Sequence, residues 1–254
     1  MPRSLSIFLF ASALFVGMIF FLELGRRVGR RSFSKESDRS GITVIEGAIY
    51  ALLGLLIAFT FSGAASRFDT RRHLIVEEAG AMHTAYLRLD LLSAQDQPEA
   101  KRLLKEYSGA RLGVYQKFHD KTASQQSQAQ ADELEGRIWT QAVAGCHGQD
   151  QACAKLLLPA LNTLFEISLE RMTTARWHPP RIVFQMLFGL GLACAFLAGM
   201  AMGGTKTSKL YSIGFALVTA LTLYVILDIE YPRTGLIRLD EADRVLEEIL
   251  QRMK

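Results

Sequence analysis

The sequence predicts an all-α membrane protein: four transmembrane helices with a helical extramembrane body inserted between spans two and three. Uncharged runs occur at 4–22, 47–66, 182–205 and 210–227. Each has at least the roughly 18 residues that read as a span, at a rise of about 1.5 Å per residue across a hydrocarbon core of about 30 Å. Half of the 254 residues are hydrophobic and 21% are charged, too apolar for an ordinary soluble domain and too charged for a purely intramembrane one. The charge is segregated into the stretch between the second and third runs, which reads as amphipathic helices. The expected division is a transmembrane hairpin over 1–66 (spans at 5–24 and 43–66), a helical body over 67–180, a second hairpin over 181–228 (spans at 181–203 and 210–228) and a tail over 229–254 with an amphipathic helix.

The first span follows a single basic residue, Arg3, which invites reading it as a signal peptide. Its apolar core is too long for that, and no small-residue cleavage site comes after it. The next stretch is basic instead, with Arg26, Arg27, Arg30, Arg31, Lys35 and Arg39. Short loops rich in Lys and Arg stay on the cytoplasmic side. The N-terminus and residues 67–180 are therefore expected to be extracytoplasmic, and Lys206 and Lys209 in the turn between spans three and four agree. The formal net charge of +4 comes mostly from arginines flanking the spans, which fits membrane anchoring and excludes a nucleic-acid surface.

The second span, GAIYALLGLLIAFTFSGAAS, passes without a break into a charged helical pattern. Phe68, Ile75, Ala79, Met82, Tyr86 and Leu89 recur there at helical spacing. Pro98 and Glu99 open the next helix, whose stripe is Leu104, Tyr107, Arg111, Val114 and Phe118. Arg111 falls on the apolar face, so it is either paired across the body or snorkels out. The run SQQSQAQA at 124–131 reads as a mobile loop or a frayed helix end, before a helix over 132–144. A longer helix over 151–176 carries the stripe Leu158, Leu161, Phe165, Ser168 and Met172, and His178, Pro179 and Pro180 end it.

Cys146 and Cys153 bracket a polar loop and can be bridged in an oxidising compartment. With His147 they fall one ligand short of the usual zinc set, so no metal and no cofactor is expected. Cys194 lies inside the third span as a small packing residue. In that span Gly199 and Gly203 form a small-xxx-small pair for close helix approach, with a hinge or pore-lining role as the alternative. After the fourth span Asp228 and Glu230 sit at the membrane surface. Asp240 then caps a last helix with Leu246, Ile249 and Met253 on one side.

No phosphate loop, nucleophile elbow or metal-binding helix pair is present, so no catalytic residue is assigned and the chain is not expected to be an enzyme. Two charge groups stand out. Arg71, Arg72, Glu77, Glu78 and Arg88, joined by Arg111 and Asp228, read as a salt-bridged helix face or as the lining of an ion vestibule. His73 and Glu77, four apart, read as a surface pair. Arg67, Arg181 and Arg233 each adjoin a span on one membrane side. They serve either as interfacial anchors and partners for Asp228 and Glu230, or as a ring that concentrates anions at a membrane mouth.

Three segments resemble a known family: LLGLLIAFTFSGAASRFDTRRHLIVEEAGAMHTAYLRLDLL, LNTLFEISLERM and LDIEYPRTGLIRLD. Together they are similar to the bacterial bestrophin-like membrane proteins, over most of residues 45–245. The resemblance implies kinship to bestrophins, pentameric anion channels of four spans with a helical body between spans two and three. It implies a multi-pass protein of the bacterial inner membrane, a homo-oligomer in the lipid bilayer that handles an inorganic anion. It also implies Phe59 and Phe61 as an apolar constriction with Arg67 at its outer end, although the two rings point to different faces of a straight helix. Two features depart from bestrophins: Thr70, Arg71, Arg72 and His73 replace a tryptophan-rich pattern, and the bestrophin body is cytosolic. The alternative function is a non-conducting sensor or scaffold that docks a protein partner through its helical body.

Overall fold

The computed structural model describes residues 3–32, 40–118, 120–147, 151–203, 209–233 and 235–253. Eight α-helices account for nearly all of them: α1 (Arg3–Ser32), α2 (Ser40–Arg88), α3 (Gln97–Gln116), α4 (Lys121–Cys146), α5 (Gln151–Thr174), α6 (Arg181–Ala201), α7 (Lys209–Glu230) and α8 (Asp240–Arg252). There is no strand among the described residues. Lys35, Arg39, His119 and Lys206 lie outside them.

Among the described residues five helices, rather than the four expected, are long and apolar enough to cross a membrane: α1, α2, α5, α6 and α7. The additional one is α5, whose Leu-rich sequence meets the same length and composition criteria.

The chain divides into two compact units, Met1–Phe68 with His178–Ile237, and Asp69–Trp177 with Arg238–Lys254. In the first, Leu14, Met18 and Leu22 of α1 meet Leu187, Cys194 and Ala195 of α6, and Ala216, Ala220, Leu223 and Ile226 of α7. Leu53 and Ala64 bring α2 into this cluster. Cys194 is a fully buried free thiol, filling space as its uncharged surroundings suggest. Glycines let α1 and α6 touch backbone to backbone. A Cβ on Gly25 or Gly29 would overlap the carbonyl oxygens of Phe196 or Met200, and one on Gly199 would overlap that of Leu22. A Cβ on Gly203, just past the end of α6, would lie 2.7 Å from the Gly29 carbonyl carbon, so Gly199 and Gly203 both pack against α1, the use small residues have where lipid supplies no hydrophobic drive between helices.

In the second unit α3 and α4 form a hairpin that approaches closely at Gly113, where an added Cβ would lie 3.1 Å from Ser127 Oγ. The run 124–131, expected to be loop or frayed end, is ordinary helix inside α4. Two causes override its low complexity. Its Gln and Ala residues are good helix formers, and Asp120 caps the helix, its Oδ1 accepting from the amides of Thr122 (3.0 Å) and Ala123 (3.1 Å). Ser127 and Ala131 are buried.

The core face of α5 also differs from the expected stripe. The buried residues include Leu157, Leu161, Leu164, Ser168 and Arg171, whereas Leu158, Phe165 and Met172 are only partly buried. The true face is rotated about one residue because it includes a charged side chain, which a hydrophobic pattern assigns to solvent. Cys146 and Cys153 are joined by a disulfide between the end of α4 and the start of α5, with Cα atoms 5.5 Å apart. A bridge this short in sequence restrains the unfolded chain by about 2 kcal/mol. Replacing both cysteines with serine is expected to lower stability by about that amount, read as a shifted thermal midpoint of the purified protein.

Candidate functional site

Two polar clusters are built from distant parts of the chain, one in each unit. The larger lies inside the second unit and centres on Glu78 of α2, whose side chain is fully buried. Its Oε1 accepts from Arg111 Nε of α3 and from Ser168 Oγ of α5, both at 2.8 Å, and its Oε2 accepts from Arg171 Nη1 at 2.6 Å. Arg171 spends its second nitrogen on Asp243 Oδ1 of α8 at 2.8 Å. Arg111 also donates to Tyr115 Oη (2.9 Å), to the Ser168 carbonyl (3.0 Å) and to Gln128 Oε1 of α4 (3.2 Å). The Tyr115 ring lies under the Arg171 guanidinium, 3.6 Å from carbon to ring centroid.

Two carboxylates and two guanidiniums make the cluster formally neutral, the condition under which buried ions persist. Burial alone would lower the Arg111 pKa, but Tyr115 and Glu78 hold it above its usual value. Tyr107, whose hydroxyl donates to Ser168 Oγ at 2.9 Å, is pushed up mainly by burial. Burial pushes the Glu78 carboxyl up, but Arg111 and Arg171 hold it below its usual value, which leaves a weak base beside the Ser168 hydroxyl. The arrangement is a positioning device that ties α2, α3, α4, α5 and α8 to one point.

The second cluster lies in the first unit. Arg67 of α2 donates Nε (2.9 Å) and Nη2 (2.7 Å) to Glu230 Oε2 at the end of α7. The other carboxylate oxygen is 2.9 Å from His178 Nδ1, and the His178 ring lies against Tyr231 with centroids 4.6 Å apart. Two residues earlier, Asp228 turns its carboxylate onto the backbone amides of Leu236 (3.0 Å) and Ile237 (2.8 Å), closing the turn after α7. That turn requires glycine at 235, where a Cβ would collide with the Asp228 carboxylate.

The residues singled out from sequence thus separate. Glu78 and Arg111 meet; Asp228 is in the other unit and clamps a turn. Arg71 is buried and donates to the Trp177 carbonyl at 2.8 Å. Arg88 donates to the Leu156 carbonyl at 2.7 Å. Glu77 pairs with His73 at 3.1 Å on an exposed surface, and Arg72 is exposed. Of the three span-flanking arginines, Arg67 has its charge matched by Glu230, Arg181 is exposed and Arg233 is half-buried. Phe59 and Phe61 are 68% and 44% exposed on the single chain. No three His, Cys, Asp or Glu side chains converge as a metal site among the described residues.

Sequence reasoning does not single out Arg171, Asp243 or His178 as site residues. For Arg171 a signal exists: Leu157, Leu161, Leu164, Ser168 and Arg171 recur every four, three, four and three residues. Nothing local marks Asp243 or His178, whose partners lie 72 and 52 positions away.

Residues 10–243 match the family model of the bestrophin-like domain. Among solved structures the chain is similar to a bacterial bestrophin homologue from Klebsiella pneumoniae, with a TM-score of 0.68 at 13% identity, over 94% of this chain and 97% of that one. It is also similar to a form of the Klebsiella homologue carrying a tyrosine-to-alanine substitution, with a TM-score of 0.64 at 14% identity, over 94% and 98%. At such identity the likeness concerns the fold. No curated protein matches the chain.

Proposed function

We propose, from the premise that this chain belongs to the bestrophin-like family, that it assembles into a homo-oligomeric, anion-conducting pore lined by α2. One observation carries the reading: the apolar stretch of α2 is the one least covered by its own chain, 17% buried against 39% for α7. Something beyond the monomer must face it. Small residues recur along one open side, Gly47, Ala51, Gly54, Ala58 and Ser62, all exposed. A row of small side chains leaves room beside an axis; Phe61, seven residues after Gly54, falls on that side and narrows it, whereas Phe59 offers bulk to lipid or to a neighbouring copy.

In this reading α1, α2, α6 and α7 cross the inner membrane and α5 belongs to the helical body. Its buried Arg171 and its part in the Glu78 cluster support that placement, since a charge is costly at the centre of a bilayer. The basic residues at the end of α1, Arg26, Arg27, Arg30 and Arg31, orient residues 67–180 to the extracytoplasmic side, where a Cys146–Cys153 disulfide is stable. At the outer mouth Arg67 is neutralised by Glu230, and the exposed Arg181 draws anions.

The decisive experiment is anion flux in liposomes containing the purified protein. Chloride efflux well above empty vesicles is expected. Only one of Phe59→Ala and Phe61→Ala should change it several-fold, because the two rings sit about 200° apart around a helix. No flux across a range of pH and calcium would overturn the pore and favour a non-conducting sensor or scaffold. Orientation has its own check: a periplasm-dependent reporter fused after Lys121 should be active, and a cytoplasm-dependent one silent.

A further inference from the structure

The second unit holds a cleft of about 590 Å³ between α4 and α5, floored by Tyr107 and Arg111 of α3. Its walls pair aromatic faces with carboxylates. Trp139 and Phe165 stand on opposite helices, with Asp132 and Glu135 on the α4 side and Glu166 on the α5 side. Arg111, the one cation among the lining residues, has its charge met by Glu78. The cleft therefore presents a net negative, aromatic interior.

The three carboxylates differ. Asp132 accepts from Gln128 Nε2 at 2.7 Å and Glu166 from Asn162 Nδ2 at 2.8 Å. Glu135 makes no hydrogen bond or ion pair among the described residues, although it is half-buried. Burial first, and then the nearby Asp132 charge, pushes its carboxyl up, with Arg111 opposing. A half-buried, unpartnered carboxylate four residues from a half-exposed tryptophan on the same helix face is one half of an ion pair. The missing half must be small, positive and tolerant of a ring face.

We propose that the α4–α5 cleft is a binding site for a small organic cation, an alkyl ammonium or diamine, with Glu135 as counter-ion and Trp139 and Phe165 as the walls that receive its methylenes. An inorganic cation suits it less well, because only one carboxylate lacks a partner and the aromatic rings replace oxygen ligands. A cavity of this volume also exceeds what one metal ion fills and falls within the size range of small-molecule sites. The site stands on the geometry of the second unit and is independent of conduction.

Trp139 and Trp177 are the two tryptophans of the chain, so W177F makes Trp139 the sole emitter. The full-length W177F protein in detergent is titrated with tetramethylammonium chloride and with 1,4-diaminobutane, against sodium chloride at matched ionic strength. A saturable change in Trp139 emission is expected for the organic cations and not for sodium. E135Q in the same background should keep its thermal midpoint, because it removes an unpaired charge, and should weaken the titration about fivefold, the order of one lost part-exposed ion pair, with the ring contacts left in place. Linear, unsaturable quenching, or an E135Q titration that overlays the W177F parent, would overturn the proposal. So would a response to sodium chloride equal to that of the amines.

Discussion

Replacing Glu78 with glutamine is expected to cost about 3–5 kcal/mol, the range for removing one partner from a buried ion pair. The substitution changes almost no volume, so the loss is electrostatic. Arg111 and Arg171 would remain buried at 2% and 4% side-chain exposure with only Asp243 to balance them. The purified variant should melt about 10 °C lower than the parent, given a few degrees per kcal/mol for a chain of this size. Glu77→Gln is the matched control: that carboxylate is 44% exposed and pairs only with His73, so its removal should shift the midpoint by less than about 0.5 kcal/mol.

Charge balance also predicts a partial rescue. In a Glu78→Met, Arg111→Met double variant, Arg171 and Asp243 still form a neutral pair 2.8 Å apart. Exchanging a buried pair for apolar side chains of similar volume is often close to neutral. The double variant should thus melt above Glu78→Gln, despite carrying the larger chemical change. A double variant that melts lower would show that Glu78 acts through geometry and hydrogen bonds to Ser168 rather than through charge balance.

The second large effect is expected at Gly199. Alanine adds one methyl group, yet that carbon would overlap the Leu22 carbonyl oxygen and lie 2.9 Å from its carbonyl carbon. Backbone atoms cannot step aside as a side chain can. The α1–α6 crossing must open, and with it the contacts of Leu14, Met18 and Leu22 against Leu187 and Cys194. A cost of about 3 kcal/mol results, at the upper end of overpacking penalties. Gly189 lies in the same helix with nothing within 4 Å of its added Cβ, so Gly189→Ala should be tolerated. Comparing how much of each variant elutes as folded protein in mild detergent separates a crossing defect from a general aversion to alanine in α6. Equal recovery of the two would remove the close-packing role.

Much of the architecture is legible in the sequence because its cause is local. A run of apolar residues as long as a bilayer is thick declares a span, and the apolar seams of α2 and of α3 up to Arg111 arise from the helical period, whereas Phe118, expected on the α3 stripe, lies exposed beyond its end and Tyr115 is buried instead. The proline in the first turn of α3 and the glycine pair at 199 and 203 are likewise statements about near neighbours in the chain. Even Arg111 announces itself, as a charge on an apolar face that needs a partner. The α5 seam misleads for the same reason in reverse: Arg171 carries a charge, and a charge usually faces solvent.

By itself, the sequence determined that this is an all-helical protein with long apolar helices and a charged, amphipathic stretch between the second and third apolar runs. Only the tertiary structure decided which charges meet. Glu78 joins residues 33 and 93 positions away, and Asp228 turns from the expected charge network to backbone amides eight and nine residues on. The physical reason is that hydrophobic patterning is a short-range signal repeated many times along a helix. An ion pair across a core is a single long-range event, and its partners carry no mark of each other until the helices have packed.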